Sequence, residues 1–204
     1  MTTHKPTKRV LDVLNYISSS NEGKNLTDIS NQLNISPSTL QPILKTLLNE
    51  GFIDVDNFKF YRIGINSFIT GQKYVNNTNT FSIIKKEMKE IVHKCNEICQ
   101  LGVHDNIEPG NVIYLYKEEP YQAIQLMSSI GLSLPAYASA LGKCLLSQFT
   151  DEEIKMIYNH GMEKLTNNTI TDVDILIKQI REMEKLGYSH EVGESSPDIE
   201  CYAI

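Results

Sequence analysis

The stretch Leu26–Glu50, LTDISNQLNISPSTLQPILKTLLNE, governs how the rest of the chain is read. Leu26, Ile29 and Leu33 recur at helical spacing, and Asn25 or Thr27 is placed to cap the first turn. Asn34-Ile35-Ser36 breaks the pattern. Ser36 then offers an N-cap oxygen, and Pro37 sits where a first helical residue tolerates a missing N–H. Leu40, Ile43, Leu44, Leu47 and Leu48 make one apolar face for a second helix, which Gly51 ends. A short helix, a tight turn and a second helix is the helix-turn-helix layout, whose second helix enters the major groove. The same spacing also fits an ordinary pair of helices packed in a small core.

The residues that follow sharpen the reading. Phe52–Val55 alternates like a strand, Asp56-Asn57 is a turn pair, and Phe58–Ile63 is a second strand, so the two form a hairpin. Helix-turn-helix plus hairpin is a winged helix, and Lys59 and Arg62 are the wing's candidate phosphate contacts, or else solvated strand residues. Upstream, a basic cluster leads into Val10, Leu11, Val13, Leu14 and Ile17 at helical spacing, and the polar run from Ser18 to Gly23 is a loop. On the second helix Ser38, Thr39, Gln41 and Lys45 remain to face DNA. Gln41 suits adenine; Ser38, Thr39 and Lys45 suit phosphate; each is otherwise solvated surface. Pro42 is the anomaly. Inside a helix it removes a hydrogen bond and clashes with the Ser38 carbonyl, at a cost of ~3 kcal/mol. Either the helix kinks there or its regular part starts nearer Thr39.

Downstream, residues 65–79 read as a helical linker that fades into the polar Asn76-Asn77-Thr78-Asn79. Thr80 or Ser82 then caps a long amphipathic helix to Ile98. Its apolar residues are Ile83, Ile84, Met88, Ile91, Val92 and Cys95, and Lys85, Lys86, Lys89 and Glu90 face solvent. Strands are expected at Cys99–His104, Asn111–Lys117 and Tyr121–Ser128, then a loop over 129–135. Helices are expected from Ser139 to Ser147, from Asp151 to Tyr158, and from Asp172 to Leu186. Thr171 caps the last of these, Gly187 ends it, and a strand follows at Tyr188–Val192. Strands and helices without regular βα alternation indicate an α+β domain.

Composition fits a soluble, cytoplasmic protein: 204 residues, 41% hydrophobic, with no run long enough to span a membrane and no signal sequence. The net charge of −6 speaks against DNA until it is divided. Residues 1–64 carry seven Lys/Arg against six Asp/Glu, a net of +1, and the acidity lies downstream. A net of +1 is low where phosphate neutralisation supplies affinity, so pairing of two chains is expected. Cys95 and Cys99, near His93 and His104, read as free thiols rather than a metal site. No nucleotide loop, nucleophile elbow or zinc motif is present, and His104, His160 and His190 lack evident triad partners; neither cofactor, metal nor catalysis is expected.

Several blocks in order resemble the IclR family of bacterial transcription regulators: Lys8–Leu14, Leu26–Ile29, Ser36–Leu40, Gly51–Ile53 and Tyr61–Gly64. Leu134–Lys143, Thr169–Asp172 and Glu191–Cys201 match further on. The resemblance implies a winged helix-turn-helix domain (1–64), a linker helix (65–79) and a GAF-like α+β effector-binding domain (80–204). It implies a regulator that works as a homodimer or a dimer of dimers on duplex DNA, under a small-molecule effector, an organic acid or an aromatic. The alternative is a metabolite sensor whose DNA binding has weakened. The family usually has Arg at the position of Pro42, which puts that binding in question.

The loop Leu134–Ala138 runs into a helix whose Ala140, Leu141 and Gly142 N–H groups suit a carboxylate, although Ser139 could simply cap it. By resemblance the effector pocket comprises Leu126, Ser139, Ala140, Leu141, Glu191 and Cys201, with Ala123 a weaker match. Leu141, where some relatives carry a smaller residue, narrows it. Glu191 repels a carboxylate unless it is protonated or accepts from a hydroxyl. Family members continue past the position of Ile204 through further strands and a helix. The domain as written is therefore expected to leave strand edges and apolar faces bare.

Overall fold

Val13 and Ile17 of α1 (Lys5–Ser18), Ile29 of α2 (Leu26–Leu33) and Leu40, Leu44 and Leu47 of α3 (Pro37–Asn49) close on one another with Ile35 and Ile53. The burial follows the helical periodicity, so the apolar stripe becomes the first core. This is a computed structural model that describes residues 3–76, 79–120 and 130–204. The chain divides into two units, Met1–Ser82 and Ile83–Ile204.

In the first unit α2 opens on a capping box. Asn25 Oδ1 accepts from the Asp28 N–H at 2.9 Å, and the Asp28 carboxylate accepts from the Asn25 N–H at 3.4 Å. Asn34, left-handed at φ 50°, turns the chain. Ser36 is the N-cap of α3, but its side chain makes no cap bond. Its hydroxyl lies 3.1 Å from that of Ser38 and 3.0 Å from that of Thr39. The late helix start expected as one escape for Pro42 does not occur: α3 runs unbroken from Pro37, with Pro42 exposed inside it.

β1 (Ile53–Val55) and β2 (Tyr61–Ile63) pair antiparallel, and Lys24 adds a bridge to Tyr61. Asp56 organises the wing tip, its Oδ1 accepting from the Phe58 and Phe60 N–H groups at 2.9 and 3.0 Å. α4 (Ile65–Asn76) is tied to the end of α3 and to β1. Asn66 Nδ2 donates to the Glu50 carbonyl at 2.7 Å, and Ser67 Oγ to the Phe52 carbonyl at 2.9 Å.

In the second unit α5 (Asn79–Cys95) buries Met88 and Val92, whereas Ile83, Ile91 and Cys95 are exposed, against expectation. Lys85 is not free in solvent: its ammonium lies 4.8 Å from the Tyr116 ring centroid. β3 (Cys99–His104), β4 (Asn111–Glu118) and β5 (Ser133–Pro135) form one antiparallel sheet. The loop expected over 129–135 therefore contains a strand, pairing Ile113 with Ser133 and Asn111 with Pro135. Pro135 sits at the strand's end, where a missing donor is tolerated. The strand expected at Tyr121–Ser128 lies outside the described residues.

A 3₁₀ turn (Ala136–Ala138) leads to α6 (Ala140–Leu146), α7 (Asp151–Ile157) and α8 (Val173–Leu186). Asp172, not Thr171, caps α8. Its carboxylate accepts from the Asp174 and Ile175 N–H groups at 2.9 and 3.0 Å, and Gly187, at φ 79°, closes the helix. β6 (Ser189–Val192) and β7 (Glu200–Ala203) make a second antiparallel sheet, and β7 is a strand that the sequence pattern does not signal. The core gathers Val112, Tyr114, Tyr137, Leu146, Ile154, Leu176 and Ile180.

Candidate DNA-reading face and effector cluster

Burial splits α3 into two sides. Leu40, Leu44 and Leu47 lock it into the first core, so Ser38, Gln41, Pro42 and Lys45 are all exposed on a helix that cannot roll. Thr39 is only partly exposed, and the Ser36–Ser38–Thr39 hydroxyl cluster fixes the orientation of both candidate hydroxyls. Gln41 projects its amide, with two donors and an acceptor, beside Lys45 one turn on. At the wing tip Lys59 is exposed and left-handed at φ 67°, beside Phe58, which is 83% exposed. Among the described residues neither Lys45 nor Lys59 has an ion-pair partner.

Arg62 is exposed on the wing and also has partners within the chain. Its guanidinium donates to the Glu22 carbonyl from Nε at 3.3 Å and Nη2 at 3.2 Å, and Nη2 lies 3.2 Å from Asp56 Oδ2. It therefore clamps the wing to the loop after α1. Gly23, at φ 86°, is required here, since a Cβ would come within 2.8 Å of the Tyr61 carbonyl oxygen and 2.9 Å of Arg62 Cγ.

In the second unit the alternation of β6 and β7 turns Ser189, Glu191, Cys201 and Ala203 to one side, with Glu191 paired to Cys201 across the ladder. His190, Glu200 and Tyr202 take the other side. There His190 Nε2 lies 2.9 Å from Glu200 Oε1, and the His190 ring stacks on Tyr202 at 4.3 Å. α6 meets the inward side: Ser189 Oγ donates to the Ala140 carbonyl at 2.5 Å. Ser139 Oγ accepts from the Gly142 N–H at 3.0 Å. Of the three N–H groups expected to be open to a carboxylate, Gly142's is thus already taken. Those of Ala140 and Leu141 remain without an intrahelical acceptor, as in any helical first turn. Leu141 lies against β3, where a Cβ on Gly102 would come within 2.6 Å of Leu141 Cδ2. Leu126 and Ala123 lie outside the described residues.

The structure adds a pair that sequence reasoning missed. Lys143, 1% exposed, forms an ion pair with Glu194, 5% exposed. Lys143 stands within the apolar run Ala140–Leu146, and a charge in such a run, with Glu194 three residues beyond Glu191, was the available signal. The loop holding Glu194 is tied down by Thr169 Oγ1, which donates to the Glu194 carbonyl at 2.7 Å, and by Thr166 Oγ1, which donates to the Gly193 carbonyl at 2.6 Å.

Electrostatics follow from burial. Desolvation pushes the Lys143 pKa down, against the pull of Glu194 and Glu191. It pushes the Glu191 carboxyl up, aided by the nearby Glu194 charge and opposed by the Glu194 N–H and Lys143. Burial and the Glu191 charge raise the Cys201 thiol to about 11, so it is a neutral, unreactive group.

A carboxyl with a raised folded-state pKa binds more protons than the unfolded chain as pH climbs past its ordinary value of 4.5. Its contribution to stability is therefore greatest below pH 4.5 and is lost as pH rises through the folded pKa. Glu191→Gln, which keeps the acceptor for the Glu194 N–H, should remove that loss. Its stability relative to wild type should improve between pH 5 and pH 8. Paired chemical denaturation at the two pH values checks this; an unchanged difference would show Glu191 to be ionised throughout.

A cleft of about 630 Å³ lies elsewhere in the second unit, bounded by Gly110, Asn111, Tyr137, Tyr158 and His160. It is open to solvent, and its charged residues Glu108 and Glu163 are exposed, so the cluster at Glu191 is the better-built polar site. Cys95 ends α5 and Cys99 opens β3; among the described residues no three His, Cys, Asp or Glu side chains are grouped to hold a metal ion. No helix among them is long and apolar enough to cross a membrane.

Residues 6–57 match the family model "IclR helix-turn-helix domain" and residues 72–204 match "Bacterial transcriptional regulator IclR C-terminal". The chain is 26% identical over 198 residues to the HTH-type transcriptional repressor AllR of Salmonella typhimurium, covering 96% of this chain and 72% of that protein. Its fold is similar to an IclR-type regulator from Alicyclobacillus acidocaldarius, at TM-score 0.85 and 21% identity over 98% of this chain and 81% of that one. It is also similar to an IclR homologue from Microbacterium hydrocarbonoxydans complexed with 4-hydroxybenzoate, at TM-score 0.79 and 17% identity over 98% and 82%. With both family models matched in order, the chain belongs to the IclR family of bacterial transcriptional regulators.

Proposed function

We propose that this regulator grips duplex DNA with the exposed side of α3 and the tip of its wing, and that a small organic effector held at the Glu191–Cys201 cluster controls the grip. The division of α3 carries the first half: a buried leucine face holds Ser38, Gln41 and Lys45 outward together. Gln41 would read a base edge, and Ser38, Thr39, Lys45 and Lys59 would position the helix on phosphates. The effector half is supported by the buried cluster and by the similar protein that holds 4-hydroxybenzoate, which favours an organic acid or an aromatic.

The regulator works as a homodimer or a pair of dimers. A net of +1 in residues 1–64 is weak for one winged helix, and pairing doubles the number of phosphates neutralised. α4 supplies a surface for a second copy, since Ile65, Phe68 and Ile69 are exposed together at i, i+3 and i+4. Pro42, exposed on α3 where it cannot donate to phosphate or base, favours a second reading: a metabolite sensor with weakened DNA binding.

Fluorescence anisotropy with any duplex, titrated across salt concentrations, separates the two. Affinity should fall steeply with salt. Lys45→Ala should flatten the slope by about one unit for each phosphate left unneutralised. Arg62→Ala should leave the slope alone and cost under about 1 kcal/mol of stability, because its partners are within the chain. Absent or salt-independent binding would leave the sensor reading standing. Sedimentation of the same samples that shows only monomer, with and without duplex, would remove the dimer.

A further inference from the structure

Glu191 and Glu194 are buried neighbours in this cluster, and two of their four carboxylate oxygens are satisfied. Glu191 Oε2 accepts from the Glu194 N–H at 2.9 Å, and Glu194 Oε1 accepts from Lys143. Among the described residues, Glu191 Oε1 and Glu194 Oε2 are buried and have no hydrogen-bond partner. The Cys201 thiol interacts with Glu191, but an S–H is a weak donor and does not replace a hydroxyl or an N–H. Buried acceptors are nearly always satisfied in folded proteins, and an unsatisfied pair on neighbouring side chains marks where something else supplies the donors. Two carboxylates and one ammonium also leave the cluster one negative charge in excess.

We infer that the effector presents a hydrogen-bond donor, a hydroxyl or an amide N–H, to Glu191 Oε1 and Glu194 Oε2, and that any carboxylate it carries points away from this end. The inference rests on the effector reading of the cluster and makes it narrower. A carboxylate placed here would add a third negative charge among buried groups. Protonation of Glu191, which burial favours, would offer it one donor. That still leaves Glu194 Oε2, on the carboxylate paired with Lys143, facing an anion. A hydroxyl or amide serves the orphan acceptors without adding charge.

Matched probes on the full chain test this by isothermal titration calorimetry. One set is benzoate, 4-hydroxybenzoate and terephthalate; the other is propionate, 3-hydroxypropionate and malonate. Within each set the second member adds a hydroxyl, and the third carries a second carboxylate at the far end. In at least one set the hydroxyl member should bind about tenfold or more tighter than its parent, as expected for a hydrogen bond to a charged acceptor, with the dicarboxylate weakest. Glu191→Gln, which exchanges an acceptor for a donor, should narrow that gap. Parent or dicarboxylate binding as well as the hydroxyl member would overturn the inference and leave the effector site standing. No binding by any of the six would overturn both. The wild-type comparison decides without the variant, should Glu191→Gln fail to fold.

Discussion

Gly142→Ala should unfold the second unit locally or cost it about 4 kcal/mol or more, at the diagnostic end of single substitutions. A Cβ at Gly142 would come within 2.2 Å of the Ala136 carbonyl oxygen and 2.3 Å of Ala136 Cα. These are backbone atoms of the 3₁₀ turn, and Ala136 is completely buried, so no side chain can swing aside. α6 must lift off the turn, which breaks the Ser139–Gly142 cap and moves Lys143 and Leu141 together. Gly142 adopts ordinary helical geometry, so the requirement is for close approach and not for a left-handed backbone. Calorimetry is the suitable readout, because the chain has no Trp and its two units need not melt together. A variant whose second-unit transition moves by less than the equivalent of about 1 kcal/mol would show that α6 and the turn yield easily.

Lys143→Met should cost about 3–5 kcal/mol, since removing one member of a buried ion pair strands the other charge. Among the described residues Glu194 has no second cation against it: its Oε1 faces Lys143, its Oε2 is unpartnered, and Glu191 alongside adds repulsion. The direct control is Lys143→Met combined with Glu194→Gln, which removes both charges and should restore much of the stability. A double-mutant cycle with zero coupling would show that the pair contributes nothing to the fold and that Met at 143 fails through packing alone. A cycle with strong coupling would place the Lys143–Glu194 pair among the interactions that hold the β6–β7 loop against α6.

The first unit is legible almost completely in its own residues. Its helices obey local rules: apolar residues at helical spacing, a proline at the start of α3, a glycine after its end, and an Asp-Asn turn between two short alternating runs. Such signals lie within a few residues of one another, so no distant partner is needed to read them. The exposed candidates Ser38, Gln41, Lys45 and Lys59 follow directly, because the apolar face fixes the opposite one. Where local rules fell short, a distant partner had intervened. The hydrogen bonds of Arg62 to Glu22 and its ion pair with Asp56 have no local signal, and β5 looked like a loop because its pairing partner is β4, well upstream.

The candidate site in the second unit is made by packing between distant segments. The residues alone placed Glu191 and Cys201 in the cluster only by resemblance, and could not bring Lys143 and Glu194, which are far apart in the chain, into one buried pair. Nor could they show that Ser139 is engaged by Gly142, or that two carboxylate oxygens are left without donors among the described residues. Whether a charged side chain is solvated or forms half of a buried pair depends on what folds over it. Desolvation and pairing are set by the whole domain and leave no periodic trace in the chain.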